Sequence, residues 1–142
     1  MSKSLSAFLA QNAKKVENKK IVVSDRFVDD NGKPMEWEIC CISASENAKI
    51  RKSCIRSVPM PGKRGQYTQE PDTQAYQAKI AARCVVFPDL NSKELQESYG
   101  VMGAEQLVTT MLNSGEFDEL VADILDHNGF ADVDEMVDDA KN

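Results

Sequence analysis

Long apolar runs are missing from this 142-residue chain, and the longest, such as Ile21 to Val23 or Val85 to Phe87, hold only a few residues. Nothing approaches the roughly 20 residues that a helix needs to cross a bilayer, so no membrane-spanning helix is expected. Met1 to Glu17 mixes Leu5, Phe8 and Leu9 with Ser, Gln, Asn and Lys. It lacks both the continuous apolar core and the cleavage site of a signal peptide, and export by that route is not expected. Histidine occurs once, as His127, and the four cysteines, Cys40, Cys41, Cys54 and Cys84, contain no C-x-x-C pair. A zinc site needs about four converging ligands, and two adjacent cysteines on a strand point to opposite faces. No metal site is expected.

Catalytic and cofactor signatures are equally scarce. Gly62-Lys63-Arg64-Gly65 lacks the spacing of a Walker loop, and no buried strand is expected before it. Asp132 to Asp139 lacks the alternating oxygen ligands and central glycine of a calcium loop. His127 falls in the last turn of a predicted helix, where an imidazolium complements the dipole better than it suits catalysis. No Ser, Cys or Lys stands out as an activated nucleophile. A protein without catalytic residues or cofactor is the expectation.

What is present reads as one folded domain over residues 1–142. Hydrophobic residues make up 42% and charged residues 28%, ordinary values for a globular chain. The net charge of −6 conceals an asymmetry. Residues 1–70 carry 13 Lys/Arg against 8 Asp/Glu, a balance of +5, while residues 71–142 carry 4 against 15, a balance of −11. Basic residues from Lys49 to Arg64 could touch phosphate, but in an acidic chain they read as solvated surface or a contact for an acidic partner, and nucleic acid is disfavoured.

The periodicity predicts a mainly α fold with a small β-hairpin. Leu5, Phe8, Leu9, Ala13 and Val16 predict a short amphipathic helix over Ser4 to Glu17. Ile21 to Val28 and Met35 to Ile42 predict two strands joined at Asp30-Asn31-Gly32-Lys33, where Asn-Gly supplies the positive φ of a tight turn. Two strands alone are marginal in water, so a helix layer or a third strand from another chain should cover them. Ser43 to Val58 reads as a basic helix, and residues 59–71, with three prolines, as a mobile loop.

Residues 72–142 read as an acidic helical part. Tyr76, Ile80, Cys84 and Phe87 form one stripe that Pro88 stops. Asn91 with Glu94, and Asn113 with Glu116, have capping-box spacing, and Leu90 and Leu95 stand at the staple positions of the first pair. Phe117, Leu120, Val121, Ile124 and Leu125 make a buried face whose opposite side carries Asp118, Glu119, Asp123 and Asp126. Gly129 has the place of a left-handed helix end with Phe130 folding back on Leu125, and Asp132 with Glu135 opens a last short helix.

The stretch Phe87-Pro88-Asp89-Leu90, followed by LNSKELQESYGVMGAEQLVTTMLNSGEFDEL and ending in Asn128-Gly129-Phe130, resembles the XkdN-like family of phage tail assembly chaperones. The N-terminal helix and the Trp37-Glu38-Ile39 hairpin extend the likeness over nearly the whole chain. The resemblance implies a non-virion protein of the bacterial host cytoplasm that binds the tape measure protein and helps tail tube protein assemble around it. It also implies a longer form made by ribosomal frameshifting. It carries over no catalytic residue, and Gly100, Gly103, Gly115 and Gly129 only as helix ends and turns. A structural tail component or adaptor retained in the particle is the alternative.

Partner-binding candidates are the adaptable apolar side chains Met102, Met111 and Met136, together with Phe130, Val133 and Val137 near the terminus. For the helically spaced methionines the competing reading is that they fill the protein's own core. The cysteines read as reduced thiols, with a disulfide between two of them the alternative. Free-thiol titration under denaturing, non-reducing conditions should therefore count four thiols per chain, and a count of two would establish a pair.

Overall fold

A computed structural model describes residues 4–130. Two antiparallel sheets and five α-helices make an α+β fold in which the strands have a larger share than the mainly α expectation allowed. β1 (Lys19–Ile21) and β2 (Trp37–Ile39) pair with Lys19 opposite Ile39 and Ile21 opposite Trp37. This is the hairpin that the alternation of Trp37 and Ile39 with Glu36 and Glu38 predicts. Its turn also lies as expected, with Gly32 at φ +81° and its N–H donating to the Asp29 carbonyl at 3.0 Å. The strands are shorter than predicted, and the tip is held by a bridge between Val28 and Pro34.

The third strand comes from this chain itself. α2 (Thr73–Cys84) ends one residue before β5 (Val85–Phe87), which pairs antiparallel with β2, so the sheet order is β1-β2-β5. The predicted helical stripe thus breaks after Cys84, and Phe87 sits on a strand, 48% exposed. Val85, Val86 and Phe87 are β-branched or aromatic, and pairing with β2 satisfies backbone groups that a last helical turn would leave open.

Two other expectations fail for the same reason. α1 (Ala44–Ser53) is capped by Ser43, whose Oγ accepts from the Glu46 N–H at 3.2 Å, but it stops at Ser53 instead of running to Val58. Ile55–Pro59 forms β3, and the stretch read as a loop returns as β4 (Tyr67–Pro71), with Arg56 opposite Glu70 and Val58 opposite Thr68. Gly62 and Gly65, both at positive φ, let the tip between the strands reverse. Of the prolines that suggested a loop, Pro59 and Pro71 occupy strand ends, where a missing N–H is tolerated, and Pro61 lies in the tip. At the N-terminus only one 3-10 turn forms, Ser6–Phe8, and Leu5 and Phe8 are 77% and 81% exposed. No apolar partner among the described residues holds the predicted amphipathic helix, and so short a helix is unstable alone.

From there on the local signals hold better. α3 (Lys93–Ser98) is capped by Ser92 in place of Asn91, with the Leu95 N–H donating to Ser92 Oγ at 3.2 Å, and Gly100 closes it at φ +67°. α4 (Ala104–Met111) and α5 (Ser114–His127) follow. Asn113 and Glu116 form the expected reciprocal box at the start of α5. At its end the Gly129 and Phe130 N–H groups donate to the Asp126 and Leu125 carbonyls at 3.0 and 2.9 Å, the predicted Schellman pattern. The last helix expected from Asp132 onward lies outside the described residues. α2 lies at the centre, packing on α1, α4 and α5, and its Ile80, Ala81 and Cys84 are wholly buried with Ile39, Leu107, Val108 and Ile124.

α5 is fastened at both ends to the N-terminal half. The Arg26 guanidinium grips both oxygens of Glu116 and donates to the Met111 carbonyl at 2.9 Å. Asn128 Oδ1 accepts from the Ile42 N–H at 2.9 Å, and its Nδ2 donates to the carbonyls of Ile124 at 2.8 Å and Cys40 at 3.3 Å. The Arg26 contact, helped by the Ser24 hydroxyl and the Asn113 N–H, lowers the Glu116 carboxyl from 4.5 to about 2. A carboxylate held more acidic in the folded state stabilises fully above its unfolded pKa, and that contribution fades as pH falls toward the folded value. Glu116→Gln should therefore be less stable than the parent at pH 7, and the two stability curves, followed by urea denaturation, should converge between pH 4.5 and about 2. Parallel curves through that window would contradict the assignment.

Candidate partner-binding surface

No group of three or more His, Cys, Asp or Glu is placed to hold a metal ion among the described residues. The Cys84 thiol, buried in the core, is pushed up to about 12 chiefly by loss of solvent, which keeps it protonated and unreactive near neutral pH. Cys41, half-buried, is raised for the same reason, and its Sγ donates to the His127 carbonyl at 3.1 Å. His127 itself donates from Nε2 to the Glu17 carbonyl at 3.0 Å, tying the N-terminal segment to α5. Asp118, Glu119 and Asp126 lie in solvent on the outer face of α5, as its stripe predicts, with Asp123 half-buried. Among the described residues, no helix is long and apolar enough to cross a membrane.

Surface apolar groups are what the chain does offer, and the predicted binding residues divide sharply. Met102 is 85% exposed in the turn before α4, on the rim of an open groove of about 680 Å³ lined by Glu46, Lys49, Ile50, Lys79 and Arg83. Met111 is 5% exposed and packs in the core, because the α4 stripe of Leu107, Val108 and Met111 faces α2. It presents no surface to a partner in this conformation. Phe130 is half-buried against the core, and the Arg51 guanidinium sits over its ring at 5.6 Å and over the Tyr76 ring at 5.7 Å. Val133, Met136 and Val137 lie outside the described residues.

Two apolar surfaces have no counterpart in the sequence expectations. Val86 and Phe87 on edge strand β5, with Pro34 and Met35, are the apolar part of an open groove of about 650 Å³ otherwise lined by Lys20, Asp29, Lys33, Glu36 and Glu38. A second groove, of about 720 Å³, runs between α1 and the root of the β3–β4 hairpin, with Ala48, Cys54, Ile55, Pro71 and Tyr76 along it. The first depends on the β2–β5 pairing, remote in sequence, and the second on the β3–β4 hairpin. The available local signal was the β-branched or aromatic content of Ile55 to Val58, Tyr67-Thr68 and Val85 to Phe87.

The arrangement has known relatives. The sequence profile of the Phage XkdN-like tail assembly chaperone protein family matches residues 5–141. The chain belongs to this family. It is 27% identical over 140 residues to the Phage-like element PBSX protein XkdN of Bacillus subtilis strain 168, covering 97% of this chain and 93% of that protein. The uncharacterized protein YqbN of the same strain matches at the same identity and coverage. The crystal structure of the protein YqbN shares the fold at a TM-score of 0.76 and 23% identity, covering 92% of this chain and all of that one.

For this tail assembly chaperone the two methionines separate core from surface. Met111→Ala should cost about 2–4 kcal/mol in urea denaturation, because it leaves a cavity between α4 and α2. Met102→Ala should stay within about 0.5 kcal/mol of the parent, as substitutions on open surface do. Equal losses for the two would contradict this packing.

Proposed function

We propose that the chain binds the tape measure protein of its phage or prophage, keeps it soluble in the host cytoplasm, and promotes assembly of tail tube protein around it without entering the mature virion. The observation that carries the reading is membership of the tail assembly chaperone family over residues 5–141. Physical features of the surface support it. A long helical client with exposed apolar stripes aggregates unless they are covered. Small, separate apolar patches such as Met102 and the Val86-Phe87 edge suit many weak contacts along such a client, each fully buried side chain contributing about 1.5–3 kcal/mol before ordering costs. The carboxylates on the outer face of α5 keep the loaded complex charged and soluble.

In this reading Met102, Phe130 and the terminal Val133, Met136 and Val137 meet the client, and the protein acts by binding alone. A frameshifted longer form would carry the contact to the tail tube protein. The competing reading is a tail component or adaptor retained in the particle, which the free edge of β5 favours because an extended partner could add a strand there.

Co-expression with the tape measure protein encoded beside it should raise that protein's soluble fraction several-fold and yield a co-purifying complex. Mass spectrometry of purified virions should find the chain absent or severely depleted. Unchanged client solubility without co-purification would overturn the chaperone assignment to this client, and stoichiometric recovery from virions would favour the structural role.

A further inference from the structure

Met102 is an apolar side chain left almost wholly in solvent, at the rim of the groove between α1, α2 and the start of α4. Ile50, Ala82 and Ala104, all half-buried, supply the rest of its apolar surface. On α1 the groove takes Glu46, Lys49, Ile50 and Ser53, which follow i, i+3, i+4 and i+7 and so stand on one flank of the helix.

The charged groups along it are Lys49, Lys79 and Arg83 against Glu46 and Glu105. Arg83 and Glu46 neutralise each other through the contact of Nε with Oε1 at 2.6 Å. Lys49 and Lys79 form no ion pair among the described residues. The Lys79 ammonium is nevertheless held in place, donating to Ser53 Oγ at 2.9 Å with donors to spare. Glu105 stands across the groove in the first turn of α4, where its charge answers the helix dipole. The wall that α1 and α2 build is therefore locally cationic, in a chain whose net charge is −6.

We infer that this groove seats an acidic amphipathic helix of the client, with its apolar residues on Met102, Ile50 and Ala82 and its carboxylates toward Lys49 and Lys79. The walls select a helix over an extended strand. They come mainly from helices, whose backbone groups are bonded internally, so the groove offers side chains and no free sheet edge. An extended peptide would leave its own N–H and C=O groups without partners there, whereas a helix arrives with its backbone already satisfied. Charge selects the site on the molecule. Asp118, Glu119 and Asp126 on the outer face of α5 repel an acidic segment, which steers its encounter to the cationic wall. The inference rests on the client-binding reading and adds to it the chemistry of the bound segment.

Overlapping peptides spanning the tape measure protein encoded beside this chain, titrated against the full chain by fluorescence anisotropy, test it. The segments bound should be amphipathic and net negative, and high salt should weaken them through screening. Lys49→Glu combined with Lys79→Glu should weaken binding roughly tenfold or more. Met102→Asp should do the same, and its place in an exposed turn keeps the test open if the double variant fails to fold. Lys63→Glu combined with Arg64→Glu makes the same change in net charge at the tip of the β3–β4 hairpin, away from the groove, and should leave affinity within about twofold of the parent. Bound segments that are basic or neutral would overturn the inference, as would equal losses for the two charge reversals. Self-association of the parent that Met102→Asp abolishes would assign the groove to a second copy and overturn it as well. Full-length tape measure protein that co-purifies while no peptide binds would overturn the groove assignment alone, and loss of both would sink the client reading with it.

Discussion

The carboxamide of Asn128 takes the place that a neighbouring strand's backbone would occupy beside residues 40–42. It accepts from the Ile42 N–H and donates to the Cys40 carbonyl, while the Cys40 N–H donates to the Cys84 carbonyl at 2.9 Å. The chain leaving β2 is thus pinned between the end of α2 and the end of α5. Those two helices together with α4 supply most of the core, and β2 contributes Trp37 and Ile39 to the same interior. Without this side chain, half-buried backbone groups would lack partners just where sheet and helices meet. Because Asn128 is also the C-cap of α5, the same residue that ends the helix sets its position along the sheet.

The opposite end of α5 is fixed by charge. Glu116 serves the capping box and the Arg26 fork together, and Arg26 also takes up the Met111 carbonyl at the end of α4. Exposed ion pairs contribute little stability individually, so the value of this one lies in register: it holds the β1–β2 connection against the α4–α5 turn. Arg83 and Glu46 repeat the arrangement with signs exchanged between the halves, joining the end of α2 to the start of α1 through Nε and Oε1 at 2.6 Å. The bipolar charge distribution is therefore used partly inside the molecule, each half lending one cation and one carboxylate to a cross-connection.

How far the sequence was legible follows from where each interaction closes. The Asn113–Glu116 box and the Gly129–Phe130 ending of α5 each close within a few residues, and both are found as read. The hairpin turn at Gly32 is equally local. The α2 stripe is right through Cys84 and wrong at Phe87, because what converts Val85–Phe87 into a strand is β2, more than 40 residues away. Ile55 to Val58 fails in the same manner: its basic, polar neighbours suit a helix surface, and only pairing with Tyr67–Pro71 settles its conformation. The Leu5, Phe8 and Val16 spacing shows the reverse error, a periodicity with no surface to receive it. Of the candidate residues, Met102 stands exposed in the segment before α4 while Met111 lies on the buried face of α4, a difference that residue type alone does not reveal.

This contrast bears on what family membership conveys. The residues that carried the resemblance, from Gly100 through the Asn113–Glu116 box to Gly129, are caps and turns around a buried stripe, and they account for a shared fold at low identity. The exposed side chains of Ile55 and Met102 take no part in those caps and turns. The groove beside Ile55 and the β5 edge are lined by none of Arg26, Asn128 and Glu46, whereas the Met102 groove shares Glu46 and Arg83 with the cross-connection between α1 and α2. At Glu46 and Arg83 one pair of side chains both braces α1 against α2 and lines an open groove, so the same atoms answer to two physical constraints.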